Sequence, residues 1–297
     1  MKGKSRFTMK STILVGGLLW LGTTVALCEL KLYPTTSERP VWIAGPAGAK
    51  LYAHVHTPNV TGRFPGLVMV PGGVGDGRIF DVRNGRSAPE IARRGFVVVH
   101  FDPEGRGRSR GKENYNGYRH QDDLALVIRY LAQLPEVDSD NLGVITFSYG
   151  ITMAAGCLAR YRDLPVKYLI DVEGPSNTQN ICYRMPTGRL VAPLWREVVP
   201  PEEHADFWRE RQAVNFIGQI RCRYLRVQKW WDHVHGPYKG HAIELLNTAT
   251  QAGVWTRCND NPPNILYDPE HLEKYHWLRT EAPLLDYLEE MATMPAK

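Results

Sequence analysis

Leu142-Gly143-Val144-Ile145-Thr146-Phe147-Ser148-Tyr149-Gly150, continued by Ile151-Thr152-Met153-Ala154-Ala155-Gly156, decides how the whole chain is read. The apolar, β-branched run reads as a buried parallel strand, and the Ala/Gly-rich run as a helix packed close to a sheet. A serine stands at the joint. A sharp strand-to-helix turn at that point strains the serine backbone, lifts its Oγ above the sheet edge, and aims the next amide into the same space. Ser148 is therefore the candidate nucleophile, and the Tyr149 N–H the first candidate oxyanion donor. The G-x-S-x-G spacing carries Thr146 in place of its first glycine. The motif alone thus leaves an ordinary serine in a turn as the competing reading, and the surrounding chain has to decide.

Working outward, Phe64 to Val70 reads as a buried strand running into Pro71-Gly72-Gly73-Val74-Gly75-Asp76-Gly77. Glycines at the C-terminal end of a strand let backbone amides approach a phosphate or an oxyanion. The Gly-Lys-Ser/Thr ending of a phosphate loop is missing. The second oxyanion donor is accordingly assigned to Gly73, with Val74 the alternative. Gly95 to Asp102 is a further buried strand, closed by Pro103-Glu104-Gly105-Arg106-Gly107-Arg108-Ser109, whose G-x-G pair lacks the third glycine of a dinucleotide fingerprint. A helix is predicted over 121–134 and a turn over 138–141.

Upstream, Val41 to Ile43 and Leu51 to His56 read as strands. His54 and His56 face the same way on the second of these, as a metal pair would, but no third ligand is in reach, and a solvated strand face is the default. Downstream come a sixth strand over 166–172, ending at Glu173-Gly174-Pro175, and a seventh over 224–227, ending at Trp230-Trp231-Asp232-His233-Val234. A helix over 241–252, a last strand over 254–257 and a closing helix over 281–291 follow. The stretch 176–219 has no strand rhythm and predicts a small cap over the sheet edge. Its Trp195, Phe207 and Trp208 either line a pocket or pin the cap down, and pinning is the preferred reading. Ser148, Gly73, Asp232 and the histidines His271 and His276 all fall at C-terminal strand ends, where a parallel sheet places its ligand site.

With 297 residues, 43% of them hydrophobic, the chain suffices for one large α/β domain, predicted over 35–297. The formal charge is +5, but four of the excess positive charges, Lys2, Lys4, Arg6 and Lys10, precede the first acidic residue, Glu29. The remaining +1 is no footprint for nucleic acid. A basic start, the apolar run Ile13 to Leu27 and a polar switch predict a signal peptide or N-terminal anchor over 1–28, and hence an exported, periplasmic or extracellular protein touching a membrane only through that leader. Cys157 reads as a buried small hydrophobe, and a disulfide between two of Cys182, Cys222 and Cys258 is an open pairing.

The Pro71-Gly72-Gly73 loop, the Asp102 to Ser109 turn, the Ser148-Tyr149-Gly150 elbow and Trp231-Asp232-His233-Val234 together resemble the α/β-hydrolase superfamily, in its dienelactone-hydrolase-like and prolyl-oligopeptidase-like branches. The resemblance covers roughly Val41 to Met291. It implies a mostly parallel eight-stranded sheet flanked by helices, a Ser-Asp-His triad, acyl transfer, and no metal or organic cofactor. The nucleophile is then Ser148 and the acid Asp232. Asp171 and Glu173 lie one strand earlier, where a minority of such enzymes place the acid; their alternative role is to cap the turn at Gly174. His271 is the preferred base, from its separation to Leu284-Leu285-Asp286-Tyr287-Leu288, and His276 is the alternative. His233 and His235 flank the acid and mimic a metal site.

The expected activity is hydrolysis of carboxylic esters of small molecules by an exported serine hydrolase. A prolyl-oligopeptidase-type peptidase acting on short peptides is the second reading, disfavoured because only about 40 residues precede the domain, too few for a propeller. A catalytically silent hydrolase fold used for binding is the third.

Overall fold

The structure, a computed structural model, describes residues 32–33, 36–45, 48, 50–82, 86–182, 201–280 and 283–295. The leader predicted over 1–28 lies outside them, as do Trp195 and the side chain of Cys182. Among the described residues no helix is long and apolar enough to cross a membrane.

Eight strands form one sheet: β1 (Thr36–Ala44), β2 (Lys50–Pro58), β3 (Phe64–Val70), β4 (Val97–Phe101), β5 (Val137–Phe147), β6 (Val166–Val172), β7 (Arg223–Val227) and β8 (Thr256–Cys258). Their spatial order is β1-β2-β4-β3-β5-β6-β7-β8. The β1–β2 and β2–β4 pairs are antiparallel, and every pair from β4–β3 to β7–β8 is parallel. The central strands read as unbroken apolar runs because both faces are covered. Val68, Val70 and Val144 join one core with Leu124, Ala154 and Leu245, whereas Leu67, Met69 and Ile145 join another with Ile91 and Leu288. The first core sits under α2 (Tyr118–Ala132), α3 (Gly150–Arg160) and the helix Gly240–Gln251; the second sits under α1 (Ala88–Arg93) and the helix Leu284–Thr293.

Three local readings shift. The predicted turn over 138–141 is extended as the start of β5, where the pairing slips between Pro65 and Gly66, so that Asp138 faces Pro65 but Leu142 faces Gly66. Polar residues tolerate a strand at this margin because the slip spares them a core-facing register. The helix expected from Gln121 starts at Tyr118, with Gly117 as its cap and the Gln121 N–H on Gly117 O. The solvated strand face expected for His54 and His56 is instead partly closed. His56 is buried, and burial followed by the neighbouring His100 lowers its pKa to about 4.

Of the cap predicted over 176–219, the described parts hold the short helices Thr178–Cys182, Ala205–Arg209 and Val214–Ile217. Trp208 is buried against Tyr149 and Ile181, and the Arg211 guanidinium lies 3.6 Å over the Phe207 ring while donating to Asn114 O. These two aromatics pin the segment onto the elbow. Cys258 is a free, buried thiol, so no disulfide uses it; Cys157 is likewise free and buried.

Burial sets a pH dependence. His120 and His241 are pushed down to about 3 and His56 to about 4, chiefly by desolvation, while Asp123 is pushed up to about 7 by the same cause. A base with a depressed folded pKa loses stability as pH falls below its unfolded value near 6.5, because only the unfolded chain takes up the proton. Asp123 works in the opposite sense, holding its proton in the folded state where the unfolded chain has released it. Asp171, fully buried, is raised by desolvation in the same sense as Asp123, so three bases against two acids leave about one proton, on the order of 1 kcal/mol lost per pH unit between about pH 6 and 4.5. Urea titrations at pH 7, 6 and 5 are expected to show the midpoint nearly constant and then dropping; a flat profile refutes this account.

Candidate active site

β5 ends at Phe147 and hands the chain to Ser148, whose φ is +51°. A left-handed conformation costs a non-glycine residue on the order of 1 kcal/mol, and the surroundings hold it there. The Ser148 N–H bonds to Val172 O at 2.8 Å, and α3 starts two residues on. A Cβ on Gly150 would stand 2.8 Å from Pro71 O and 3.1 Å from Val70 O, so glycine is what lets the elbow settle onto the loop after β3. Thr146, in the position of the motif's first glycine, is fully buried within the strand between Val70 and Asp171. Gly73 lies in the loop after β3 with φ +56°. That loop is tied down through the buried Arg106, which donates to Gly75 O and to both carboxylate oxygens of Glu113. Tyr149 donates its phenol to Tyr115 O and accepts at its carbonyl from Asn116.

The ring beside the Ser148 hydroxyl belongs to His233. Its Nε2 is 3.1 Å from Ser148 Oγ, and its Nδ1 is 2.8 Å from Glu173 Oε2. Glu173 is the first residue after β6, with φ +55°, its N–H on Val227 O and its carboxylate 2% exposed. The Lys229 amide and ammonium also approach that carboxylate, at 3.2 and 3.4 Å. Serine, imidazole and carboxylate thus stand in one hydrogen-bonded line, within the 2.6–3.2 Å reach that proton transfer needs.

This geometry corrects two assignments made from the sequence. Asp232, assigned as the acid, is 3.6 Å from His233 Nδ1, against 2.8 Å for Glu173. Its oxygens are taken by the amides of Val234 and His235, the Gln228 side chain and His241 Nε2. Burial alone would raise its pKa, but the hydrogen bonds from His235 and His241 hold it far below the usual carboxylate range. Asp232 therefore ties the loop that carries His233. Paired bonds between the backbones of Asp232 and Gly236 close that loop. The expected bases are also elsewhere: His271 binds Asp268 at 2.6 Å and His276 binds Asp260 at 3.2 Å, both rings about half exposed. A hydrogen bond to its own carboxylate raises the pKa of His271. His276 lines a groove of about 940 Å³ with Trp230, Trp231, Tyr275, Trp277 and Leu278, beside the His233 loop, and Ser148 is not among its walls. Asp171 takes the turn-capping role: it accepts from the Gly174 N–H and pairs with the buried Arg226 at 2.6 Å.

The signal for His233 and Glu173 was present as chain order, since Ser148, Glu173 and His233 run serine, carboxylate, histidine. What the sequence lacked was the length of the β7 loop, which folds back far enough for a residue adjacent to Asp232 to reach the serine.

Residues 47–193, just under half of the chain, match the model of the X-Pro dipeptidyl-peptidase (S15) family. An uncharacterised Pseudomonas aeruginosa protein is 30% identical over 122 residues, 39% of this chain and 32% of that protein, so the match spans about a third of the curated relative. Among solved structures, dipeptidyl peptidase 4 of Porphyromonas gingivalis superposes with a TM-score of 0.63 at 19% identity, over 86% of this chain and 35% of that one. An acylaminoacyl peptidase of Pyrococcus horikoshii gives 0.58 at 15% identity, over 76% of this chain and 36% of that one. An esterase of Pyrococcus furiosus gives 0.55 at 17% identity, over 87% and 90%. At such identities the likeness is one of fold. The strand order, the serine held at the strand–helix elbow and these likenesses agree: the chain has the α/β-hydrolase fold, and over residues 47–193 it is similar to the X-Pro dipeptidyl-peptidase (S15) family.

Proposed function

We propose that the protein is a serine hydrolase that cleaves carboxylic esters through an acyl-enzyme, with Ser148 as nucleophile, His233 as base and Glu173 as the acid that orients it. The observation that carries this is the line Ser148 Oγ, His233, Glu173 at 3.1 and 2.8 Å. Glu173 fixes the tautomer in which Nδ1 bears the proton, leaving Nε2 to take the one from Ser148 as Oγ attacks the carbonyl. The Tyr149 and Gly73 amides bind the oxyanion, each contributing roughly 3 kcal/mol. His233 then protonates the leaving alkoxide, and in the second half-reaction activates water to release the acid. The half-exposed His233 ring gives water that access.

The esterase reading is supported by the Pyrococcus furiosus esterase, most of whose length this fold matches. A peptidase is the second reading, favoured by the match to the X-Pro dipeptidyl-peptidase family. Export, inferred from the leader, belongs to either reading.

A fluorophosphonate probe is expected to label the wild-type chain on Ser148 and to leave Ser148→Ala, folded by circular dichroism, unlabelled. Turnover of p-nitrophenyl esters well above that of aminoacyl-proline amides supports the esterase, and the reverse order the peptidase. A folded wild type without labelling sinks both readings in favour of a silent binding fold.

A further inference from the structure

Outside the catalytic line, the antiparallel pair β2–β4 brings three imidazoles together. His54 and His56 lie two apart on β2, and His100 stands directly across from His54 on β4. Asp81 completes the group from the end of the 3-10 turn Gly77–Phe80. The sequence offered the first two as a pair without a third ligand; the sheet register supplies the third and the loop the fourth.

The separations are those of a small cation's ligands. His56 Nε2 and His100 Nε2 are 3.1 Å apart, His100 Nε2 and Asp81 Oδ1 2.9 Å, and His56 Nε2 and His54 Nδ1 are each 3.8 Å from the same Asp81 oxygen. Four atoms placed tetrahedrally at 2.0–2.1 Å from a zinc ion stand about 3.3 Å from one another. All four ligand atoms fall within 4.8 Å of each other.

Hydrogen bonding does not account for the arrangement. His54 gives its Nε2 to Tyr52 Oη at 2.6 Å, which turns Nδ1 inward. That Nδ1 is buried with no hydrogen-bond partner, although Glu38 Oε1 lies 3.0 Å away outside bonding geometry. His56 and His100 present Nε2 to Nε2, so a single proton serves both, and one carboxylate oxygen is left to serve three rings. A second cluster, Asp232, His235 and His241, differs in this respect: Asp232 is saturated by amides and side chains, and His235 Nε2 bonds Asn180 O.

We propose that His54, His56, His100 and Asp81 bind one divalent transition-metal ion, zinc by donor set, as a structural site. The Tyr52 hydroxyl would orient His54 as an outer partner. The ion would clip the Gly77–Asp81 turn to the sheet. That turn closes the loop carrying Gly73, and it approaches closely: a Cβ on Gly77 would sit 2.6 Å from His100 Nδ1. The Phe80 ring lies 5.9 Å from that of His100 and 5.4 Å from that of Phe147, the neighbour of Ser148. The inference does not depend on which bond the enzyme cleaves.

The test uses the full chain dialysed against EDTA and titrated with CoCl₂. The expected result is the visible absorption of tetrahedral cobalt, saturating at one equivalent and erased by ZnCl₂, with zinc raising the thermal midpoint by roughly 5 °C at a hundredfold excess over Kd. His100→Gln should abolish the spectrum, and Asp81→Asn, at a partly exposed position, should weaken binding more than about tenfold. Should His100→Gln fail to fold, Asp81→Asn carries the test. His241→Gln should keep the spectrum. Absence of stoichiometric binding overturns the proposal, as does a spectrum that survives both His100→Gln and Asp81→Asn or is lost in His241→Gln instead.

Discussion

His233→Ala is expected to lower kcat on p-nitrophenyl acetate by about 10³-fold or more, while His271→Ala and His276→Ala stay within a fewfold of wild type. Of these three rings, that of His233 is bonded to the Ser148 hydroxyl, and the other two pair with Asp268 and Asp260. Glu173 follows the same logic. Under the proposed mechanism Glu173→Gln keeps the shape but removes the charge that would stabilise the imidazolium, and should cost about 10²–10⁴-fold in kcat with little change in KM. Asp232→Asn keeps Oδ1 for the two amides but puts an NH2 donor where Oδ2 accepts from Gln228 and meets His241. It should reduce stability by about 1–3 kcal/mol and slow turnover less than Glu173→Gln does. If Asp232→Asn proves the more damaging to kcat at equal folded fraction, the acid is Asp232. If His271→Ala rather than His233→Ala silences the enzyme, the line seen here is not the catalytic one.

Arg226→Leu should be the most destabilising single change in the core, by about 3–5 kcal/mol, seen as a fall of roughly 10 °C in the thermal midpoint. The guanidinium and the Asp171 carboxylate are both fully buried, so removing the cation leaves a desolvated anion with only Tyr224 Oη and the Gly174 N–H to hold it. Replacing both, Arg226→Leu with Asp171→Leu, should recover at least half of the loss, because the unpaired charge and not the missing contact is the larger cost. A single variant within 1 kcal/mol of wild type, as an order of magnitude, would show that water reaches the pair. The network also bears on activity. Arg226 donates to Gly174 O, beside Glu173, and to Gln228, which in turn donates to Asp232 under the His233 loop. One buried cation thus fixes both turns that bring Glu173 and His233 to Ser148, and kcat should fall with stability.

The sequence by itself determined the sheet, the elbow and the layering. Runs such as Leu67 to Val70 and Val97 to Val99 are apolar on both faces and have no other stable place than the middle of a covered sheet. Gly150 and the small residues after it specify how closely α3 approaches, and Ser148 inherits its position from them. These are local properties, with periods of two and 3.6 residues. Which imidazole and which carboxylate meet the serine is not local. Asp232 and His233 are neighbours in the chain, and the course of the loop between Val227 and Gly236, with its carboxylate turned onto its own amides, decides that the histidine faces Ser148 while the aspartate faces inward. Glu173 enters the line through a left-handed backbone held by β7. His100 meets His54 and His56 only because of the antiparallel register of two strands more than forty residues apart. Short-range pattern thus fixed the scaffold, and long-range register and loop closure, which no periodicity encodes, chose the residues that share a site.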